Sequence, residues 1–313
     1  MTTFWATMNQ TAFLFTFITL GYYLAKGKHV PDSAPAILSG LENTVFIPAL
    51  VLETFLKNFR RAQLSQAGEL LLQSLLLAIV VIGLSLLCVR LCTKDRYLQN
   101  IYLYGLCFSN FGFMGNAMVS ALFPDQFMDY ILFTLPLWTL IYLWGVPVLL
   151  MGKAGEKVPL KRRLRNFRNP MFAGMVIGMA VGLLELPVPH FLTATIAAAG
   201  ECMSPVAMLL TGMTVARYDV KKILGVPSVY TVTALRLLIF PFAFLVLLAA
   251  VPLPRTFALC ATCVLAMPLG LNTIIVPNAL GQDTSVAAGM ALISHVLSCL
   301  TIPVIFLLLE KIL

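Results

Sequence analysis

Two stretches of this chain place helix-breaking residues and uncharged amide side chains inside otherwise apolar runs. The first reads Ser109-Asn110-Phe111-Gly112-Phe113-Met114-Gly115-Asn116; the second reads Met267-Pro268-Leu269-Gly270-Leu271-Asn272-Thr273, with Pro277-Asn278 following. Glycine loosens a helix, and proline removes a donor and displaces the preceding turn. An asparagine amide among apolar neighbours is costly unless it finds a partner. Two broken helices that cross would present N–H groups, helix N-termini and amides to one point, which is chemistry for a small anion. The candidate binding residues are therefore Asn110, Gly112, Gly115, Asn116, Pro268 and Asn272. Asn43, in an earlier run, is either a further cavity-lining donor or an interhelical hydrogen bond. No acidic residue lies at either break, which argues against a metal-cation site.

Three titratable residues stand inside apolar runs. Glu201, in Gly200-Glu201-Cys202-Met203-Ser204-Pro205, is expected near the middle of its run, as a proton carrier, a neutral acid or a partner of Arg236. Arg236 either meets an anionic substrate, pairs with Glu201 or snorkels to an interface. His295 is a candidate proton relay, against the reading of a satisfied packing residue. Enzymatic motifs are missing: no HExxH, no GxSxG and no phosphate loop ending in GK[ST]. Neither catalysis nor a cofactor is expected, so transport would run on gradients or downhill.

The elements that must position these residues follow from composition. Of 313 residues, 60% are hydrophobic and 11% charged, with a mean hydropathy of +0.93. Soluble domains carry roughly 45–50% apolar and about 25% charged residues. A soluble enzyme is excluded, and a polytopic membrane protein remains. The runs are apolar on all sides rather than alternating, which excludes a barrel. The net charge of +8 sits between hydrophobic runs, so it reads as topology signal and lipid contact and not as a nucleic-acid surface. The seven cysteines form no paired CxxC pattern, so neither a metal site nor a disulfide is expected. The first run lacks a basic leader and a cleavage site and is expected to be retained.

Helices are expected at 5–25, 34–56, 67–90, 98–121, 125–151, 169–186, 190–214, 222–250, 255–278 and 284–309. With the N-terminus outside, one alternate set of loops carries fifteen Lys and Arg and the other five; Arg236 lies within a helix. That asymmetry puts both termini outside and the basic stretch 152–168 in the cytoplasm, although the loop after the second helix dissents. The stretch divides the chain into 1–151 and 169–313, five helices each. An odd number of crossings per half makes related halves an inverted repeat, with the fourth and ninth helices interrupted at matching depth.

The chain resembles the auxin efflux carrier family, particularly its bacterial malate or malonate permease members. The resemblance is carried by LENTVFIPALVLETF (41–55), SNFGFMG (109–115), RNPMFAGMVIGMAVGLLELPVP (168–189), SPVAMLLTGMTVA (204–216), AMPLGLNTIIV (266–276) and TIPV (301–304), in order and over nearly the whole length. It implies an all-α fold of ten transmembrane helices in two inverted five-helix repeats, shared with bile-acid symporters and sodium–proton antiporters. It further implies a scaffold of helices one, two, six and seven and a transport domain of helices three to five and eight to ten. The transport domain moves elevator-fashion, usually in a homodimer. Many relatives have proline after the second glycine; here Asn116-Ala117 follows Gly115, so the first crossover is expected to be bent by its glycines.

The function expected is secondary transport of a small organic anion across a plasma (inner) membrane: a dicarboxylate such as malate or malonate, or an auxin-like carboxylate. Proton coupling through His295 or Glu201 is better supported than sodium coupling. A sodium-coupled symporter of bile-acid type and a non-transporting anion receptor are the alternatives. Lipid and a second copy of the chain are the other expected partners.

Overall fold

A computed structural model describes residues 2–59, 64–151, 159, 170–219, 221, 224–280 and 282–313. The expected basic linker, 152–168, lies outside these residues apart from position 159, as do Arg60, Arg61 and Lys222. The described residues are helical almost throughout. The helices are α1 (Thr2–Lys26), α2 (Ala34–Leu41), α3 (Ile47–Asn58), α4 (Leu64–Cys92), α5 (Arg96–Cys107), α6 (Asn116–Leu122), α7 (Phe127–Leu140), α8 (Pro170–Leu183), α9 (His190–Glu201), α10 (Met203–Val215), α11 (Pro227–Ala234), α12 (Phe240–Ala250), α13 (Arg255–Ala266), α14 (Asn272–Ala279) and α15 (Ser285–Ile312).

Several of these are parts of one longer run. Glu42–Phe46 joins α2 to α3 as a π-turn, and Leu235–Ile239 joins α11 to α12. Both precede a proline, Pro48 and Pro241. Proline withholds its N–H from the carbonyl four residues back, and widening the preceding turn is one way to accommodate that loss. Ile141–Leu150, which contains Pro147, is π-helical for its whole length.

Among the described residues, six stretches are long and apolar enough to cross a membrane: Ala34–Lys57, Ala67–Cys92, Pro124–Leu150, His190–Val215, Pro227–Ala250 and Ser285–Ile312. The chain is a multi-pass, all-α membrane protein. The fourth and ninth expected helices are each divided. Their first halves, α5 and α13, are both 12 residues long. Twelve residues rise only about 18 Å, short of a roughly 30 Å hydrocarbon core. Each can span only together with its second half.

Two packing groups hold the breaks. In one, α1 lies along α10, and α3 lies along α8 and α9. The α3–α8 contact is close because Gly174, Gly178 and Gly182 form one stripe; a Cβ on any of them would press on Pro48, Leu52, Phe55 or Phe59 of the facing chain. In the other, α4 packs on α5 and α7, and α15 packs on α11 and α13. Alpha1 also contacts α15 and α6, which ties the two groups together.

Candidate functional site

The two broken helices cross. After α5 ends, Phe108 is extended (φ −120°, ψ 99°) and Asn110 has φ −76°, ψ 41°. After α13 ends, Met267 is extended (φ −70°, ψ 147°), as expected for a residue before proline. Ser109 and Leu269 pair as an isolated antiparallel bridge. The Asn110 N–H donates to the Pro268 carbonyl at 2.7 Å, and the Leu269 N–H donates to Ser294 Oγ at 3.3 Å. Ser109 Oγ donates to the Val264 carbonyl at 2.7 Å. Backbone polar groups freed from two helices thus satisfy one another, which is what permits non-helical chain at this depth.

The expectation that glycines bend the first crossover is corrected. The break falls at Phe108 to Asn110, ahead of both glycines, and the chain resumes as a wide π-turn over Phe111–Gly115. Gly112 and Gly115 serve close approach instead. A Cβ on Gly112 would collide with the Trp138 indole, and one on Gly115 with the Tyr130 hydroxyl. That hydroxyl donates to the Phe111 carbonyl at 2.9 Å.

Arg236 is fully buried, and its guanidinium donates to three backbone carbonyls: Leu106 (2.9 Å), Val264 (2.6 Å) and Met267 (3.3 Å). These carbonyls lie at the C-terminal ends of α5 and α13, where unpaired carbonyls and the helix dipole favour a cation. Arg236 therefore neither pairs with Glu201 nor snorkels. It fastens both breaks from behind.

Asn110 and His295 are buried together. Asn110 Nδ2 lies 2.9 Å from His295 Nε2, and His295 Nδ1 lies 2.7 Å from the Ala291 carbonyl. A carbonyl only accepts, so Nδ1 carries the proton and Nε2 accepts from the amide. Asn110 Oδ1 is buried with no protein partner. On the other break, Asn272 is half-buried and donates to the Tyr104 hydroxyl at 2.8 Å. Tyr104, Ser109, Ser294 and Tyr130 complete the polar set. Nothing in their spacing marks them, because the crossing alone brings them to the breaks.

A cavity of about 420 Å³ opens beside the first crossover. Gln10 of α1, Glu53 and Lys57 of α3, Asn116 and Ser120 of α6, and Ser204 of α10 supply its polar wall. Ser204 Oγ donates to the Phe113 carbonyl at 3.4 Å, so one residue of the cavity wall is bonded to the π-turn. Lys57 and Glu53 form an ion pair within it. The volume falls in the range of small-molecule sites.

The candidates divide accordingly. Asn110, Pro268 and His295 meet at the crossing, while Asn272 starts the second resumed helix and bonds Tyr104; Gly112 and Gly115 pack the first half, and Asn116 lines the cavity. Glu201 is corrected: it is exposed at the α9–α10 junction and lines the cavity rim, with no buried carboxyl there. Asn43 is corrected as well. It is exposed, bonds back to the Ser39 carbonyl of its own helical run at 2.8 Å, and does not line this cavity. The buried acid in that run is its neighbour Glu42, 1% exposed. Among the described residues, no three His, Cys, Asp or Glu side chains come together as a metal site.

A family model described as membrane transport protein matches residues 6–306. Among curated proteins, none matches the chain significantly.

Proposed function

The chain belongs to the membrane transport protein family, and from that premise we propose that it is a secondary carrier of small organic anions. It is a transport protein and not an enzyme. The carboxylate substrate is a dicarboxylate such as malate or malonate, or an auxin-like acid. The observation that carries this reading is the crossing at Ser109 and Leu269, with no acid on either break and with the first resumed helix, α6, lining a cavity through Asn116 and Ser120. Helix N-termini and asparagine amides in a dry setting attract negative charge.

Substrate enters the 420 Å³ cavity, where Lys57, ion-paired with Glu53, stands on the wall with Asn116 and Ser204. It reaches the crossing between Asn110 and Asn272. The cavity is walled by α1, α3 and α10 on one side and by α6 on the other, which supports a scaffold of helices one, two, six and seven and a moving domain built on the crossing. Two first halves of equal length and matching breaks support an inverted repeat of ten spans. The carrier works in a plasma membrane with the basic linker in the cytoplasm, as an elevator and a homodimer. His295 is the proton-coupling group, because it contacts the crossing directly whereas Glu201 is exposed. The test is uptake of labelled malate or malonate into proteoliposomes without sodium. Failure of both acids, with sodium then restored and the protein folded, rejects the dicarboxylate reading.

A further inference from the structure

A pair of further cavities lies away from the crossing, on the face shared by α4, α12 and α13. A groove of about 620 Å³ runs between α4 and α12, walled by Leu76, Val80 and Leu84 on one side and Phe240, Ala243 and Leu247 on the other. On α4 its lining extends from Gln73 to Cys88, which is about 22 Å of helix rise. Large apolar side chains line it while remaining open to the surroundings: Val80 is 57% exposed and Leu247 47%. In a membrane protein such a furrow faces hydrocarbon.

One end of the groove is not apolar. There a smaller cavity, of about 210 Å³, is lined by Glu69, Gln73, Asp129 and Thr256. Gln73, Pro254 and Phe257 line both cavities, so the two are continuous. Gln73 Nε2 donates to Glu69 Oε1 at 2.8 Å, which leaves Gln73 Oε1 as the free end of the amide. That oxygen is buried without a protein partner. Among the described residues, neither Glu69 nor Asp129 has a basic partner. The small cavity therefore offers two carboxylates and one amide oxygen as acceptors, beside the Thr256 hydroxyl, at the mouth of a furrow suited to a hydrocarbon chain. Arg255, the residue after Pro254, is exposed at the same end.

We propose that this continuous groove and acidic pocket bind a phospholipid with a primary ammonium headgroup, phosphatidylethanolamine. One acyl chain lies along the groove. The three N–H donors of the ammonium meet Glu69, Asp129 and Gln73 Oε1, and Arg255 faces the phosphate. A choline head has no N–H to give these acceptors, and an anionic glycerol head is repelled by the two carboxylates. The site is independent of the substrate reading, since it shares no lining residue with the cavity at the crossing.

The test is native mass spectrometry of the full chain, delipidated in detergent and offered phosphatidylethanolamine, phosphatidylcholine or phosphatidylglycerol with identical acyl chains. The expected result is retention of phosphatidylethanolamine in preference to the other two by about tenfold. Glu69→Gln combined with Asp129→Asn is expected to bring that preference close to unity. Ala243→Trp, which fills the groove, is expected to lower retention of all three lipids. Equal retention by the unaltered protein overturns the proposal, as does a preference that survives the double substitution. Glu69→Gln alone, at an exposed position, repeats the test should the double variant not fold; an unchanged preference there also counts against the site.

Discussion

Asn110 Nδ2 and His295 Nε2 lie 2.9 Å apart, joining the first broken helix to α15 at the point where the two breaks cross. The bond requires an unprotonated Nε2. A proton added there turns the acceptor into a donor, and the amide must then rotate to present Oδ1, the buried atom that now has no partner. Protonation of this histidine and the orientation of an amide on the crossing are thus mutually exclusive or mutually required, state by state.

Proton coupling follows from that pair. In proteoliposomes an acidic exterior is expected to stimulate anion uptake by the unaltered carrier. In His295→Gln, which cannot take up a proton, uptake is expected to persist at a reduced rate and to ignore the imposed gradient. Stimulation that survives in His295→Gln removes this residue from the coupling path.

Arg236→Met is expected to destabilise the fold by about 3 kcal/mol or more, because three buried carbonyls at two helix ends lose their donor together. Arg236→Lys, with its compact ammonium, is expected to recover only part of that loss. Thermal unfolding in detergent measures both. A Met variant as stable as the parent would show that the helix ends do not depend on the guanidinium.

Gly112→Ala is expected to cost about 1–3 kcal/mol of stability, since the added methyl meets the Trp138 ring. Trp138→Phe removes the clashing part of the indole. The double variant is expected to be more stable than Gly112→Ala alone, and a thermal double-mutant cycle reads the coupling. Additive effects would place the two residues out of contact.

Lys57→Ala is expected to weaken apparent substrate affinity by roughly threefold to tenfold, as the one cation on the cavity wall among the described residues is lost and the mostly buried Glu53 carboxylate (17% exposed) is left without its partner. Concentration dependence of uptake at low and high salt measures this. The effect should shrink as ionic strength rises.

Much of the fold is legible in the sequence. Apolar runs mark the helical stretches, and the clustered Gly, Asn and Pro mark where two of them are interrupted. The facing of side chains is not legible. Glu201 and Arg236 both stand in apolar runs, yet one is exposed beside a cavity and the other fully buried on backbone carbonyls. Hydropathy gives depth along a helix but not direction around it, and a run apolar on every side carries no amphipathic signal. Asn43 and Glu42 illustrate the same point: adjacent in sequence, they face opposite environments within one π-turn. The break itself moved ahead of Gly112 and Gly115 because the strand-like bridge to Leu269 needs extended backbone at Phe108, whereas the glycines are needed where Trp138 and Tyr130 press on the resumed helix. Tyr104 and Ser294 carry no local signal; only the crossing of two distant segments gives them a role.

The central claim is that an organic anion is held at the crossing by asparagine amides. The most direct measurement is counterflow of labelled malate and malonate in proteoliposomes, comparing the unaltered chain with Asn272→Ala and with Tyr104→Phe. Tyr104→Phe removes the hydroxyl that Asn272 now bonds but leaves its amide free for substrate. The expected result is saturable counterflow in the unaltered chain, largely retained in Tyr104→Phe and reduced at least about tenfold in Asn272→Ala, with all three proteins equally folded. Counterflow unchanged in Asn272→Ala would contradict a substrate site at the crossing.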